Sequence, residues 1–341
     1  MTKLGFTTDA KTAFLRGTFY YNQGKYNEAL AAYSWSLELS PKHPETFNNR
    51  GLTYYKLGRH DEALADFNRS LELKPDEPAA LNNRGITYDA LERYDKALAD
   101  YNRSLKLRPD HPDTIYNRGT TYTKLEKYDE ALADFNRSLA LRPDHPATLN
   151  NRGLTYHKLE RHDEALADFN RSLELRPDNP DTLNNRGNSY AKLEKYDEAL
   201  ADYDRSLELR PDAPSPFHNR GITYHALKKY NEALADYNRS LELRPDYPDA
   251  LYNRGLVYYE LERYDEALID YNRSLELRPS HAGTLYNLAC LLSLQGKGGK
   301  SISYLKKAIA KDEKYREEAK TDEDFGNIRK DPRFKKLVGK D

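Results

Sequence analysis

The sequence predicts an all-α fold, an α-solenoid of repeated helix–turn–helix units. Three observations lead there. First, Gly17, Gly51, Gly85, Gly119, Gly153, Gly187, Gly221 and Gly255 stand 34 residues apart, with Ala289 in the next place. Second, two helical patterns return around each glycine. In the second unit Phe47, Gly51 and Tyr54 keep the i, i+4, i+7 spacing of one helix face, and Ala63, Phe67 and Leu71 mark a face of another. Third, the polar stretch between them, Gly58-Arg59-His60, has room only for a turn.

Each element has a physical reason. Gly51 and Ala63 are small where two helices cross closely, and Tyr54, Phe67, Leu71 and Leu73 fill the space between neighbouring pairs. Asp61 and Glu62 place negative charge at the start of the second helix, where its dipole favours it. Pro75 stops that helix, and Pro78 suits the first turn of the next, where a missing N–H costs nothing. One helical pair cannot bury its apolar face alone, so neighbours must stack.

A 34-residue helix–turn–helix with Gly, Tyr, Ala, Phe or Tyr, and Pro at these places resembles the tetratricopeptide repeat. The resemblance covers residues 9–312 as nine repeats, the last divergent, and implies a right-handed superhelix. Ankyrin repeats differ in period, and their Thr-Pro-Leu-His signature is absent here. Two departures are regular. The residue before the glycine, usually apolar in the family, is Arg16, Arg50, Arg84, Arg118, Arg152, Arg186, Arg220 and Arg254. Ser70, Ser104 and Ser138 stand where the family tends to have Ala. Repeats two to eight also carry Asp66, Asp100, Asp134, Asp168, Asp202, Asp236 and Asp270, where the first has Ala32. A partly buried arginine needs a carboxylate, so these Arg and Asp residues are expected to pair across adjacent helices.

Residues 313–341 resemble the closing segment of bacterial members of the family and are expected to form capping helices. Glu313 replaces the terminating proline, so the helix over Ser301–Ala310 is expected to run on toward Lys320. Short helices follow Thr321, one starting at Asp331-Pro332. Phe325, Ile328, Phe334 and Leu337 are expected to cover the last open interface, as the end of a solenoid requires.

Composition excludes several functions. The formal net charge is −1, so no global attraction to nucleic acid or acidic membranes is expected. A single cysteine, Cys290, rules out a disulfide framework or a multi-thiolate metal site. No apolar run is long enough to span a bilayer, and Met1–Lys11 has no signal-peptide pattern, so a cytoplasmic protein is expected. Gly296-Lys297-Gly298-Gly299-Lys300-Ser301 only superficially resembles a phosphate loop, because Leu294 stands where a glycine is required and helix precedes it. The sequon at Asn68, repeated at Asn102, Asn136, Asn170, Asn238 and Asn272, follows the repeat and falls within a helix. The nine histidines match no ligand spacing, and no nucleophile–base grouping stands apart from the repeat. Cys290 takes a packing position, and Trp35, where other repeats have Arg, is expected to pack on Met1–Lys11. No enzyme activity, metal or cofactor is expected.

The candidate binding residues form a series. Two residues before each glycine position stand Asn49, Asn83, Asn117, Asn151, Asn185, Asn219, Asn253 and Asn287; only the first repeat breaks the series, with Leu15. In superhelical arrays of this family the position lies on the concave side, where a similar asparagine ladder holds extended peptides by their backbones. An amide both donates and accepts, so it can satisfy a peptide N–H and C=O together. The same amides can instead bridge neighbouring helices. Beside them the side chains vary, with His218, Tyr252, His225 and Tyr259 making the C-terminal half richer in rings, which anchor well. The family's Lys/Arg clamp for terminal carboxylates is missing: Asn48, Asn82 and Asn150, and Asp113, Asp181 and Asp249, stand in its place. Chaperone C-terminal tails are therefore disfavoured as partners. The expected function is a non-enzymatic scaffold taking a peptide or helix of a partner protein. The alternatives are a regulatory or targeting subunit of an enzyme complex and, against the acidic Asp89, Asp113 and Asp249, a nucleic-acid binder.

Overall fold

The structure is a computed structural model that describes residues 9–339. The chain forms two compact units, divided after Pro177. The first holds α1 (Ala10–Asn22), α2 (Tyr26–Leu39), α3 (Pro44–Lys56), α4 (His60–Leu73), α5 (Pro78–Ala90), α6 (Tyr94–Leu107), α7 (Pro112–Lys124), α8 (Tyr128–Leu141), α9 (Pro146–Lys158) and α10 (His162–Leu175). The second holds α11 (Pro180–Lys192), α12 (Tyr196–Leu209), α13 (Pro214–Ala226), α14 (Tyr230–Leu243), α15 (Pro248–Glu260), α16 (Tyr264–Leu277), α17 (Ala282–Leu294) and α18 (Gly298–Lys311). It ends with α19 (Lys314–Thr321), a 3-10 turn (Glu323–Phe325) and α20 (Pro332–Val338). The described residues contain no strand. Odd and even helices up to α18 pair antiparallel, and each pair packs on the next within its unit.

Local chemistry sets the boundaries. Seven first helices begin with proline at an N-terminal position, and the His43 ring nitrogen accepts from the Thr46 amide at 3.3 Å to close the first turn. The turn between the helices of a pair needs one residue at positive φ. Gly24, Gly58 and Gly296 supply it at 72–73°, and Glu92, Glu126, Glu160, Glu194, Lys228 and Glu262 hold the same conformation at 56–58°. The phosphate-loop look-alike is this turn: Gly296 has positive φ and α18 starts at Gly298.

The glycine comb marks where a ring of the second helix lies flat on the first. A Cβ on Gly51 would come within 2.9 Å of the Phe67 ring, and one on Gly153 within 2.8 Å of Phe169. The serines that depart from the family pattern span the same pair: Ser70 Oγ donates to the Pro44 carbonyl at 2.8 Å, and Ser104 to Pro78 at 2.9 Å. The hydroxyl thus satisfies a carbonyl at the start of the first helix.

The arginines pair as expected. Arg50 grips Asp66 through Nε and Nη2 at 2.7 and 2.8 Å, and the same fork recurs from Arg84–Asp100 to Arg254–Asp270. The free Nη1 reaches back to the preceding second helix: Arg84 to Asn68, Arg118 to Asn102, Arg152 to Asn136, each at 2.7 Å. The sequon asparagines Asn68, Asn102, Asn136 and Asn238 are therefore acceptors for the arginine ladder. Arg16, facing Ala32, bonds only the Tyr20 hydroxyl among the described residues.

One expectation fails at the C-terminus. α18 does not run on toward Lys320; it ends at Lys311 because Asp312 is extended (φ −149°, ψ 112°). The Asp312 carboxylate then accepts from the Lys314 amide at 3.1 Å, starting α19. Phe325, Ile328 and Phe334 are buried with Leu285, Cys290, Leu305 and Ile309, and Leu337 packs at the edge. The expectation that Trp35 packs on Met1–Lys11 falls largely on residues 1–8, which lie outside the described residues.

Candidate peptide-binding face

The first helices of each unit carry the asparagine series, and all eight side chains are half-buried. Their amides link successive first helices. In the first unit Asn83 Nδ2 donates to Asn48 Oδ1 at 3.1 Å, Asn117 to Asn82 Oδ1 at 3.1 Å and Asn151 to the Tyr116 hydroxyl at 3.0 Å. In the second Asn219 donates to Asn184 Oδ1 at 3.0 Å, Asn253 to His218 Nε2 at 2.9 Å and Asn287 to the Tyr252 hydroxyl at 3.2 Å. Asn185 is also engaged. The acceptor in each bridge sits one residue before the preceding asparagine of the series. Asn48 Nδ2 in turn donates to Asn49 Oδ1 at 3.2 Å, and Asn150 to Asn151 at 3.1 Å. The result is a chain of side-chain amides, with Tyr116, His218 and Tyr252 substituting for asparagine as acceptors.

The bridges leave capacity. An amide carries two N–H donors and an oxygen with two lone pairs. The bond to the preceding first helix uses one donor of Asn83, Asn117, Asn219, Asn253 and Asn287, and Asn151 reaches both the Tyr116 and the Thr120 hydroxyl. Where the neighbouring Asn donates to the series asparagine, one lone pair is used as well.

The aromatic candidates divide. His218 is buried, with Nδ1 3.3 Å from Asn219 Oδ1 and 3.2 Å from the Tyr247 hydroxyl. Nε2 accepts from Asn253, so the neutral ring carries its proton on Nδ1. Burial pushes its pKa below the ordinary 6.5 and favours that neutral form. The half-buried Tyr252 ring sits edge-on to His281 with centroids 4.9 Å apart. His225 Nε2 lies 3.0 Å from Glu260 Oε1, and Tyr259 donates its hydroxyl proton to Asp324 in the C-terminal segment. The structure thus brings Tyr252 and His218 into the asparagine chain and places His225 and Tyr259 outside it.

Three arginines beside this face are paired, while their repeat equivalents Arg108, Arg176 and Arg244 are exposed and form no ion pair among the described residues. Arg142 reaches Asp113 at 2.8 Å, and Arg210–Asp181 and Arg278–Asp249 each close at 2.7 Å. Lys124 contacts Asp89.

The Asp322–Asp324 contacts are a feature the sequence reading missed. The Tyr286 hydroxyl donates to Asp322 Oδ2 at 2.6 Å, and the Cys290 thiol lies 3.6 Å from the same oxygen. Burial and the two carboxylates hold this thiol far above its ordinary pKa, so it is a protonated donor rather than a thiolate ligand. Nothing in the spacing of 290, 322 and 324 marks them as neighbours; only the folding back of the C-terminal segment joins them. No helix among the described residues is long and apolar enough to cross a membrane.

Comparison with known proteins agrees with this architecture. Family models described as tetratricopeptide repeat match residues 45–110, 76–144, 111–178, 180–213 and 248–281, and one described as TPR repeat matches 17–58 and 223–262. A search of curated proteins gives no match. A tetratricopeptide repeat protein from Parabacteroides merdae superposes with a TM-score of 0.59 at 20% identity, covering 73% of this chain and 98% of its own. YrrB, described as a TPR protein with an unusual peptide-binding site, gives 0.44 at 25% identity over 54% of this chain and 95% of its own. MamA gives 0.43 at 22% identity over 47% of this chain and 94% of its own. With paired helices, glycine comb and family matches in agreement, the chain belongs to the tetratricopeptide repeat family.

Proposed function

We propose that the chain is a protein-interaction scaffold whose first helices hold an extended segment or a helix of a partner in the concave groove expected of such arrays. The observation that carries this reading is the asparagine chain. The bridges of Asn83, Asn117 and Asn219 orient the amide and use only one of its two donors, so little ordering remains to be done on binding. Packed helices about 8–10 Å apart match roughly three residues of extended chain. Tyr252, beside the series, offers a ring for side-chain selection, and acidic chaperone tails are disfavoured because Asn48, Asn82 and Asn150 and Asp113, Asp181 and Asp249 stand where the Lys/Arg clamp would be. The reading assigns no catalytic group.

The test takes peptides selected from a displayed random library on the intact chain. Asn117→Ala with Asn151→Ala should leave a cooperatively folded protein, less stable by about 0.5–1.5 kcal/mol per lost bridge. The same variant should weaken peptide binding at least about tenfold, and N-methylation of the peptide backbone should do likewise. A variant that loses stability but binds every selected peptide unchanged would show the asparagines to be bridges only, and would refute the reading.

A further inference from the structure

The first helix pair departs from the repeat on one side only. Leu15 stands in the asparagine position, Phe19 where Thr53, Thr87, Thr121 and Thr155 stand, and Trp35 where Arg69, Arg103 and Arg137 stand. These positions face the preceding pair elsewhere in the first unit. Thr121 Oγ1 bonds Asp89 of the previous first helix at 2.7 Å, and Arg103 reaches Asp76 of the previous pair's closing turn at 2.9 Å. The four threonines are fully buried, whereas Leu15, Phe19 and Trp35 are 55, 58 and 36% exposed. A solenoid end that faces water carries polar residues. This one carries large apolar side chains that no described residue covers.

The same face holds unspent charge of both signs. A cavity of about 270 Å³ is lined by Arg16, Tyr20, Glu28, Ala31, Ala32 and Trp35. Arg16 has lost its carboxylate to Ala32, and neither it nor Glu28 forms an ion pair among the described residues. One cation and one anion around an apolar centre make a surface complementary to itself. Twofold pairing sets residue i of one copy against residue j of the other and j against i.

We propose that two copies of the chain associate through the outward faces of their first helix pairs. Arg16 of each copy meets Glu28 of the other, and Leu15, Phe19 and Trp35 are buried between them. This goes beyond the peptide-binding reading and is independent of it. The dimer carries two binding faces, so a bivalent partner gains avidity.

The chain provides its own reporter, since Trp35 is its only tryptophan. Light scattering on the full chain should give twice the 39.5 kDa of one copy at about 100 µM. On dilution the mass should fall to one copy, and Trp35 emission should move to the red in step. Phe19→Asp should weaken association at least about tenfold. Arg16→Glu and Glu28→Arg should each do the same, and the double variant should restore the dimer. All three residues are exposed, so these changes leave the fold intact. A chain that stays monomeric at about 100 µM overturns the proposal. Shielded Trp35 emission in that monomer would assign the cover to residues 1–8, and exposed emission would leave the face to a different protein. A dimer that survives Phe19→Asp, or a double charge variant that stays dissociated, overturns it too.

Discussion

His218 shows how one substitution changes the chemistry of a repeated position. Asn48, Asn82 and Asn184 accept the bridge from the next helix through an amide oxygen, whereas His218 accepts it through Nε2. An amide oxygen keeps its lone pair at any pH near neutrality; an imidazole nitrogen does not. Protonation would turn Nε2 into a donor aimed at the Asn253 N–H group. Tyr247, Asn219 and the Asp249–Arg278 pair surround the ring, and desolvation lowers its pKa despite nearby Asp249. The unfolded chain therefore binds this proton more readily than the folded one. The folded state loses stability as pH falls from 6.5 through the lowered value. Urea unfolding of the wild type at pH 7 and pH 5 should show that loss, and His218→Asn should reduce the difference. At pH 7 the variant should stay within about 1 kcal/mol of the wild type, since an amide bridge replaces the imidazole one. An unchanged pH dependence would remove His218 as its source. The sequence revealed His218 as a variable neighbour of the asparagines, but its burial and its partners required the neighbouring helix to be in place.

At the scale of the helices, the arginine ladder was legible because two charges recur at a fixed offset where the family carries an apolar residue. Its third member was not. Asn68, Asn102, Asn136 and Asn238 bond the arginine of the following pair, a contact that the 34-residue frame alone does not reveal. The turns were also only half legible. Glycine at Gly58 signals positive φ, but Glu126 and Glu160 adopt it against their intrinsic preference because the flanking helices dictate the chain path. The ladder itself can be dissected at Arg152 and Asp168, where the carboxylate is almost fully buried and the guanidinium about four-fifths so. Asp168→Ala strands the guanidinium and should cost about 3 kcal/mol in urea unfolding. Adding Arg152→Leu, which restores the family's apolar residue, should recover most of it, because a buried pair and a well-packed apolar isostere are often close in stability. The first pair already combines Ala32 with an exposed Arg16. A double variant as unstable as the single one would show that the arginine contributes through packing rather than through its charge pairing.

In a repeat array each pair is stabilised by its own interior and by the faces it shares with its neighbours. The repeat frame was readable from the glycine spacing, and the helical content from the i, i+4, i+7 spacing around each glycine. The C-terminal segment was readable only as a set of apolar residues, Phe325, Ile328, Phe334 and Leu337, because its path depends on an extended Asp312 that no periodicity announces. Its consequence for the end of the second unit is testable through the lone thiol. Cys290 is 3% exposed, lies against Asp322 and belongs to the same cluster as Phe325 and Phe334. Phe334 is nearly fully buried, and Phe334→Ala removes its ring from that cluster at a cost of about 3–5 kcal/mol. In a nearest-neighbour array the loss falls on the adjoining segment and on α17 and α18, not on the first unit. Alkylation of Cys290 by a maleimide under native conditions should therefore accelerate at least about a hundredfold, as expected when opening becomes easier by some 3 kcal/mol. Far-UV circular dichroism should fall only slightly, since α19 and α20 are the shortest α-helices described. Unchanged alkylation would show that the thiol is shielded by α17 and α18 without help from the segment. Collapse of the whole helical signal would show cooperativity reaching well beyond neighbouring pairs.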